Sequence, residues 1–112
     1  MTNLLVCPAQ TPLEGGEEFF ETLLRGVGGL RVERIISHGH VTPEDSWYDQ
    51  DLDEWVAVLS GEARLAFYDG KEERLLPGDH IFLPRHVRHR VTYTSTPCIW
   101  LAVHGDFGQG QN

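Results

Sequence analysis

The chain reads as an all-β domain, and three observations predict it. From Leu30 onward the apolar residues follow a period of two. Turn signals punctuate the chain at Ser60-Gly61, Asp69-Gly70 and Pro77-Gly78-Asp79. Helical spacing is confined to one stretch, residues 17–26. Seven or eight short strands at this spacing make a small sandwich or barrel. With 112 residues the chain has enough material for one core and not for a separate cofactor domain.

In chain order, residues 3–7 are expected to form a short edge strand, stopped by Pro8 and again by Pro12. Residues 17–26, EEFFETLLRG, predict a short helix or turn. Phe19, Phe20, Leu23 and Leu24 fall on one helical face, acids occupy the first turn, Arg25 lies in the last, and Gly26 follows. Residues 1–29 are thus an accessory segment packed on a barrel of residues 30–104, with 105–112 as a flexible Gly- and Gln-rich tail. Within the barrel, Leu30, Val32, Arg34, Ile36 and His38 share one parity. Residues 54–60, EWVAVLS, make a strongly apolar strand that turns at Gly61 into 63–68. Strands over 73–76, 80–83, 89–94 and 98–104 follow, with a loop over 84–88.

The net charge of -8 argues against nucleic acid or an anionic membrane as partner, since the only basic cluster, Arg85, Arg88 and Arg90, is short. No run reaches the roughly eighteen apolar residues of a membrane span. Cys7 and Cys98 lie far apart without a CxxC spacing, and no secretory leader pattern is visible, so a cytoplasmic protein with reduced thiols is expected. Nucleophile-elbow, P-loop and dinucleotide motifs are missing.

Two stretches carry the polar chemistry: 47–61, WYDQDLDEWVAVLSG, and 84–91, PRHVRHRV. Glu54 alternates with Val56 and Val58, so if the valines face the core Glu54 does too. His89 shares parity with Val87 and Val91. A buried glutamate near a buried histidine needs a partner, a metal or a proton. A metal-ligand set of His40, Asp49, Glu54 and His89 is chemically consistent with Zn, Fe, Mn or Ni, with His38 behind it. The same residues admit plainer roles: His38 and His40 as hydrogen-bonded loop residues, Asp49 as part of a solvated run, and Glu54 as one half of an ion pair with His89 or Arg34. Arg34, by parity, either points into the barrel to hold an anionic group or reaches solvent at the strand end. Trp47, Tyr48, Phe67 and Trp100 are core or pocket wall. His80, His86 and His104 are assigned to surface or rim.

These motifs resemble those of the cupin superfamily. Its first motif places an HxH pair four or five residues before a glutamate, with a glycine seven residues after that. Glu54 and Gly61 have the latter spacing, and counting back places the histidine seats on Trp47 and Asp49. Its second motif matches Pro77, Gly78, Asp79, Pro84 and His89, with His86 where glycine is common. The HGH of His38 and His40 lies nine residues ahead of the usual register. The resemblance implies a jelly-roll barrel (a double-stranded β-helix) that forms homodimers, with a pocket binding a small molecule and a divalent metal. It further implies isomerase or oxygenase-like chemistry on a small carboxylate or sugar phosphate, similar to mannose-6-phosphate isomerase-like cupins. Glu54 and His89 would be catalytic, and Arg34, His38 and Trp47 would contact substrate. The alternative is a non-catalytic ligand-binding or sensor barrel that has lost the usual metal site.

Overall fold

A computed structural model of the chain describes residues 2–8 and 16–108. Eight antiparallel strands form two sheets: β1 (Phe19–Arg25), β2 (Arg31–Ser37), β3 (Asp53–Ser60), β4 (Ala63–Phe67), β5 (Glu72–Leu75), β6 (His80–Leu83), β7 (His89–Thr94) and β8 (Cys98–Gly105). The larger sheet has the order β1-β2-β8-β3-β6 and the smaller β5-β4-β7. Together they make an all-β jelly roll. The core lies between them, where Val56, Val58, Leu65, Leu75, Leu83 and Trp100 pack together. Burying such side chains is the main stabilising contribution, at about 1.5–3 kcal/mol each.

Strand alternation sorts each strand of the larger sheet into an inner and an outer row. On β8, Cys98, Trp100, Ala102 and His104 share the inner parity. Their partners on β2 are Ser37, Ile35, Glu33 and Arg31, and on β3 Val58, Val56 and Glu54 oppose Trp100, Ala102 and His104. The middle of the barrel is therefore apolar, and one end of the same rows is charged.

The N-terminal segment departs from expectation. Residues 17–26 contain β1 rather than a helix, and among the described residues the one helical turn is the 3-10 turn Val27–Gly29. Phe19 and Phe20 pair with Ile36 and Ile35, so the adjacent apolar residues serve two faces of a strand instead of one face of a helix. Tertiary pairing with the open edge of β2 outweighs weak local helix preference. The edge strand expected over 3–7 is a turn, closed by Val6 N–H donating to the Asn3 carbonyl at 3.2 Å. Pro12 lies outside the described residues. Of the expected tail, Gly105 ends β8 and the Phe107 N–H donates to Asp53 at 3.1 Å; residues 109–112 are outside the described part. Cys7 is exposed, Cys98 is buried, and both are free thiols. Among the described residues no helix is long and apolar enough to cross a membrane.

Gly61 carries the β3–β4 turn at φ +85°, a left-handed conformation that favours glycine. A Cβ there would collide with the Ser95 side chain and the Pro97 carbonyl. Gly61→Ala is expected to lower stability by at least about 2 kcal/mol, from backbone strain and overpacking together. Urea melts of the two proteins check this, and equal midpoints would contradict it.

Candidate functional site

The charged end of the inner rows opens into a cavity of about 320 Å³. Its polar wall holds Glu18 just before β1, Arg31 and Glu33 of β2, Glu54 of β3, His89 of β7 and His104 of β8, with Tyr48 and Gln50 from the loop before β3. Phe20, Ile35, Val56, Leu65, Leu83, Val91 and Trp100 form the apolar remainder. A space of this size suits a small ligand.

His104 stands at the centre of the charged wall, only 5% exposed. Its Nε2–H donates to Glu33 Oε1 at 3.2 Å, and Glu54 Oε2 lies 3.7 Å from the same nitrogen. Glu54 opposes His104 directly across the β3–β8 ladder. Glu33 reaches it diagonally past the small Ala102, its own ladder partner. The two carboxyls are pushed in opposite directions. The hydrogen bond from His104, helped by Arg31 and opposed by burial, holds Glu33 below the usual carboxylate range. Burial raises Glu54, and the attraction of His104 and His89 only partly offsets it. Glu54 is 8% exposed, and its carboxyl makes no hydrogen bond among the described residues, since 3.7 Å is beyond hydrogen-bonding reach.

His89, 5% exposed, donates from Nδ1 to the Val87 carbonyl at 2.9 Å, which leaves Nε2 as the ring's acceptor. Tyr48 stacks on its ring at 5.5 Å, and the two backbones bond in both directions, at 2.8 and 3.2 Å. This bridge ties the loop before β3 to β7 and brings Tyr48 to the cavity. Burial and the nearby Glu18 raise the Tyr48 hydroxyl pKa. Glu18 is held by Ser37 Oγ, which in turn accepts from Trp100 Nε1 at 3.1 Å. The neighbouring Asp53 faces the other way. It accepts from the backbone N–H of Arg85 at 2.9 Å and of Phe107, and so anchors the loop that leads into His89.

Of the residues singled out from sequence, Glu54 and His89 meet at this cavity. Tyr48 and Trp100, read as core or pocket wall, line it too, and the remaining predicted ligands and substrate contacts lie elsewhere. Arg34, 4% exposed, sits on the outer face of β2, where it binds Glu21 at 2.6 Å and the carbonyls of Asn3, Leu4 and Val6. Its parity neighbours Val32 and Ile36 are outward, so the parity argument selected the wrong face. Arg31 and Glu33 are the charged residues that point inward. His40 accepts from the His38 N–H at 2.8 Å through Nδ1 and donates to Gly16 through Nε2. His38 lies outside the cavity lining, its Nε2 buried without a hydrogen bond. Asp49 pairs with His86 at 2.7 Å on the exposed side of the loop. Trp47 packs edge-on against Tyr68 and beneath Arg90. Trp47 and Asp49 are one residue out of register: the shorter, four-residue spacing before Glu54 lands on Tyr48 and Gln50, which do line the cavity. A one-residue slip exchanges the two faces of an extended segment. His104 is not on the rim; its parity with Cys98, Trp100 and Ala102 was the available signal.

The predicted four-ligand set therefore does not assemble. Among the described residues no three His, Cys, Asp or Glu side chains form a group able to hold a metal ion.

The family model described as a cupin domain matches residues 32–104. The chain belongs to the cupin family. Among solved structures, a protein of Ralstonia eutropha JMP134, provisionally named a mannose-6-phosphate isomerase, is 41% identical over 95% of this cupin and 97% of its own length, with a TM-score of 0.84. A cupin superfamily protein of Desulfitobacterium hafniense DCB-2 is 19% identical over 80% of this chain and 78% of its own, at a TM-score of 0.68. The DMSP lyase of Ruegeria pomeroyi DSS-3 is 23% identical over 83% of this chain and 49% of its own, at a TM-score of 0.65. The last two likenesses concern the fold alone. No curated protein matches this cupin.

The opposite shifts have opposite consequences for stability. Glu33, depressed, contributes stability that is fully present above the usual glutamate pKa and is lost as pH falls through its lower folded value. Glu54, raised, withdraws stability as pH climbs from the usual glutamate pKa through its higher folded value. Glu54→Gln should accordingly raise Tm at pH 8 and change it little at pH 4. About 1 kcal/mol corresponds to about 4–8 °C in a domain of this size. Calorimetry at the two pH values checks the sign; a lower Tm at pH 8 would contradict the burial argument.

Proposed function

We propose that this cupin is an acid–base enzyme that moves a proton between neighbouring carbons of a small hydroxy-carbonyl compound, an isomerase in reaction type. One observation carries the reading: two buried glutamates flank His104 in a single cavity, with their pKa values pushed apart. Carboxyl groups pushed apart in this way mark a candidate site of proton-transfer chemistry. Glu54, whose pKa burial raises, is the group placed to give a proton to a carbonyl oxygen. His89 Nε2 is the acceptor for the C–H proton, oriented by its Nδ1–H bond to Val87. The C–H bond breaks, its electron pair forms the enediol double bond, and the carbonyl oxygen takes the Glu54 proton. His89 then returns its proton to the former carbonyl carbon, while the hydroxyl on the carbon first deprotonated gives its proton to Glu54 and becomes the new carbonyl, which completes a redox-neutral exchange. Glu33, ionised, holds the His104 ring in place between the carboxyls. The 41% identity with the R. eutropha protein supports an isomerase over an oxygenase.

No step of this mechanism passes through a metal, because the donors present do not close around one. Metal analysis of protein prepared without chelator is expected to find no stoichiometric divalent ion. Stoichiometric metal in the wild type, lost in Glu54→Ala and His89→Ala, would replace the acid–base assignment with metal ligation.

The reaction itself is tested by NMR in D₂O, following exchange of the hydrogen beside the carbonyl in a panel of small sugars. Glu54→Gln and His89→Ala should each slow exchange by about 10²–10⁴-fold, the usual contribution of a positioned acid or base. Undiminished exchange in Glu54→Gln would remove the acid. Saturable binding without exchange in the wild type would make the protein a ligand-binding module instead.

A further inference from the structure

The cavity has an electrostatic character that bears on which small molecule it takes, given the proposal that this is the ligand site. Three carboxyl groups line it, Glu18, Glu33 and the proton-donating Glu54, and the first two alone outnumber the single guanidinium, Arg31. That guanidinium is already drawn to an acid: Arg31 Nε lies 3.3 Å from Glu33 Oε2. The one other cation that parity suggested for the site, Arg34, is spent on the far side of β2. A phosphate would enter a space holding more negative than positive charge, with no second guanidinium or lysine among the lining residues to meet it. Two further groups record the same field. Burial and then Glu18 push the Cys98 thiol up to about 12, and the same pair of influences raises Tyr48.

The unmet requirement is for a donor. Glu54 is more than nine-tenths buried, faces the cavity, and has no hydrogen bond among the described residues. A buried carboxyl in that condition costs free energy until a ligand donates to it. Across the cavity Glu18 is clamped by the Ser37–Trp100 chain, which fixes its carboxylate before any ligand arrives. Tyr48 and Phe20, both partly exposed, add aromatic faces to the lining. Preset carboxylates beside aromatic faces are the surroundings that favour an organic cation.

We infer that the ligand of this cavity is a small polyhydroxy compound bearing a protonated amine, held by Glu18 and Glu54, and that phosphorylated sugars are excluded. The ammonium N–H groups fill the vacant acceptor positions of Glu54, and the hydroxyls meet Gln50 and the histidines.

Glucosamine, glucose and glucose 6-phosphate share one carbon framework and differ in a single group, so they separate the alternatives. Titration of the full chain, followed by calorimetry and by the Trp100 indole N–H resonance, should show saturable binding of glucosamine. Its affinity should exceed that of glucose 6-phosphate by roughly tenfold or more, the scale of one buried charged hydrogen bond. Glu18→Gln should remove most of that preference. Tyr48→Leu, which leaves all three carboxyl groups in place, should weaken glucosamine without restoring the phosphate. Exposed Glu44→Gln should change nothing. Equal or tighter binding of glucose 6-phosphate, or no saturable binding of glucosamine, overturns the inference. Proton exchange in Glu54→Gln is read separately, so failure of the charge preference and failure of the acid–base reading are distinguishable.

Discussion

The pairing of β2, β8 and β3 in one register is the constraint from which the polar end of the barrel follows. It sets Arg31, His104 and Glu54 side by side in one row and Glu33, Ala102 and Val56 in the next. His104 can then serve Glu33 and Glu54 together, and the small Ala102 leaves Glu33 room to lean across. A slip of one residue in any of these strands would turn its charged residue to the outer face and its outer apolar residue into the cavity. The hydrophobic rows further down, Ile35 with Trp100 and Val58, hold that register in place. Packing at one end of the barrel thus fixes the ionic geometry at the other.

The site is also a place where the fold gives up stability. A glutamate buried without a hydrogen bond is unfavourable, and Glu54 is kept in that state by rigid neighbours on three strands. Glu33 shows the contrast, since a short side-chain bond and a nearby guanidinium stabilise its charge. Two residues of one type, equally buried, acquire different chemistry from their surroundings, and the hydrogen bond from His104 that Glu33 accepts and Glu54 lacks decides the difference.

The segments outside the eight strands are recruited to the same end. Residues 38–52 form a long loop whose Tyr48 pairs with His89 as an isolated bridge, so the loop behaves locally as an added strand of the smaller sheet. Asp53 anchors the 84–88 loop through backbone N–H groups and sets where His89 begins. β1 and the residue before it supply Phe20 and Glu18 to the cavity wall, and the outer side of β1 receives Arg34 through Glu21. The site is therefore assembled from elements far apart in sequence.

By itself the sequence determined the all-β class, the turns at Gly61, Gly70 and Gly78, the apolar rows of β3 and β8, and the inward parity of Glu54 with Val56 and Val58. These are legible because period-two alternation and turn chemistry act over a few residues. Its cupin motifs named the family for the same reason. Tertiary structure alone decided that residues 19–25 are a strand, because the free edge of β2 offers backbone partners that no local pattern reveals. It alone decided which face of β2 turns inward, since Val32 and Ile36 are as apolar as an interior row and are covered from outside. It chose Tyr48 and Gln50 over Trp47 and Asp49, because the bridge to His89 sets the loop's register. And it drew His104, read from sequence as a rim residue, between two glutamates, because that contact depends on the alignment of three strands at once.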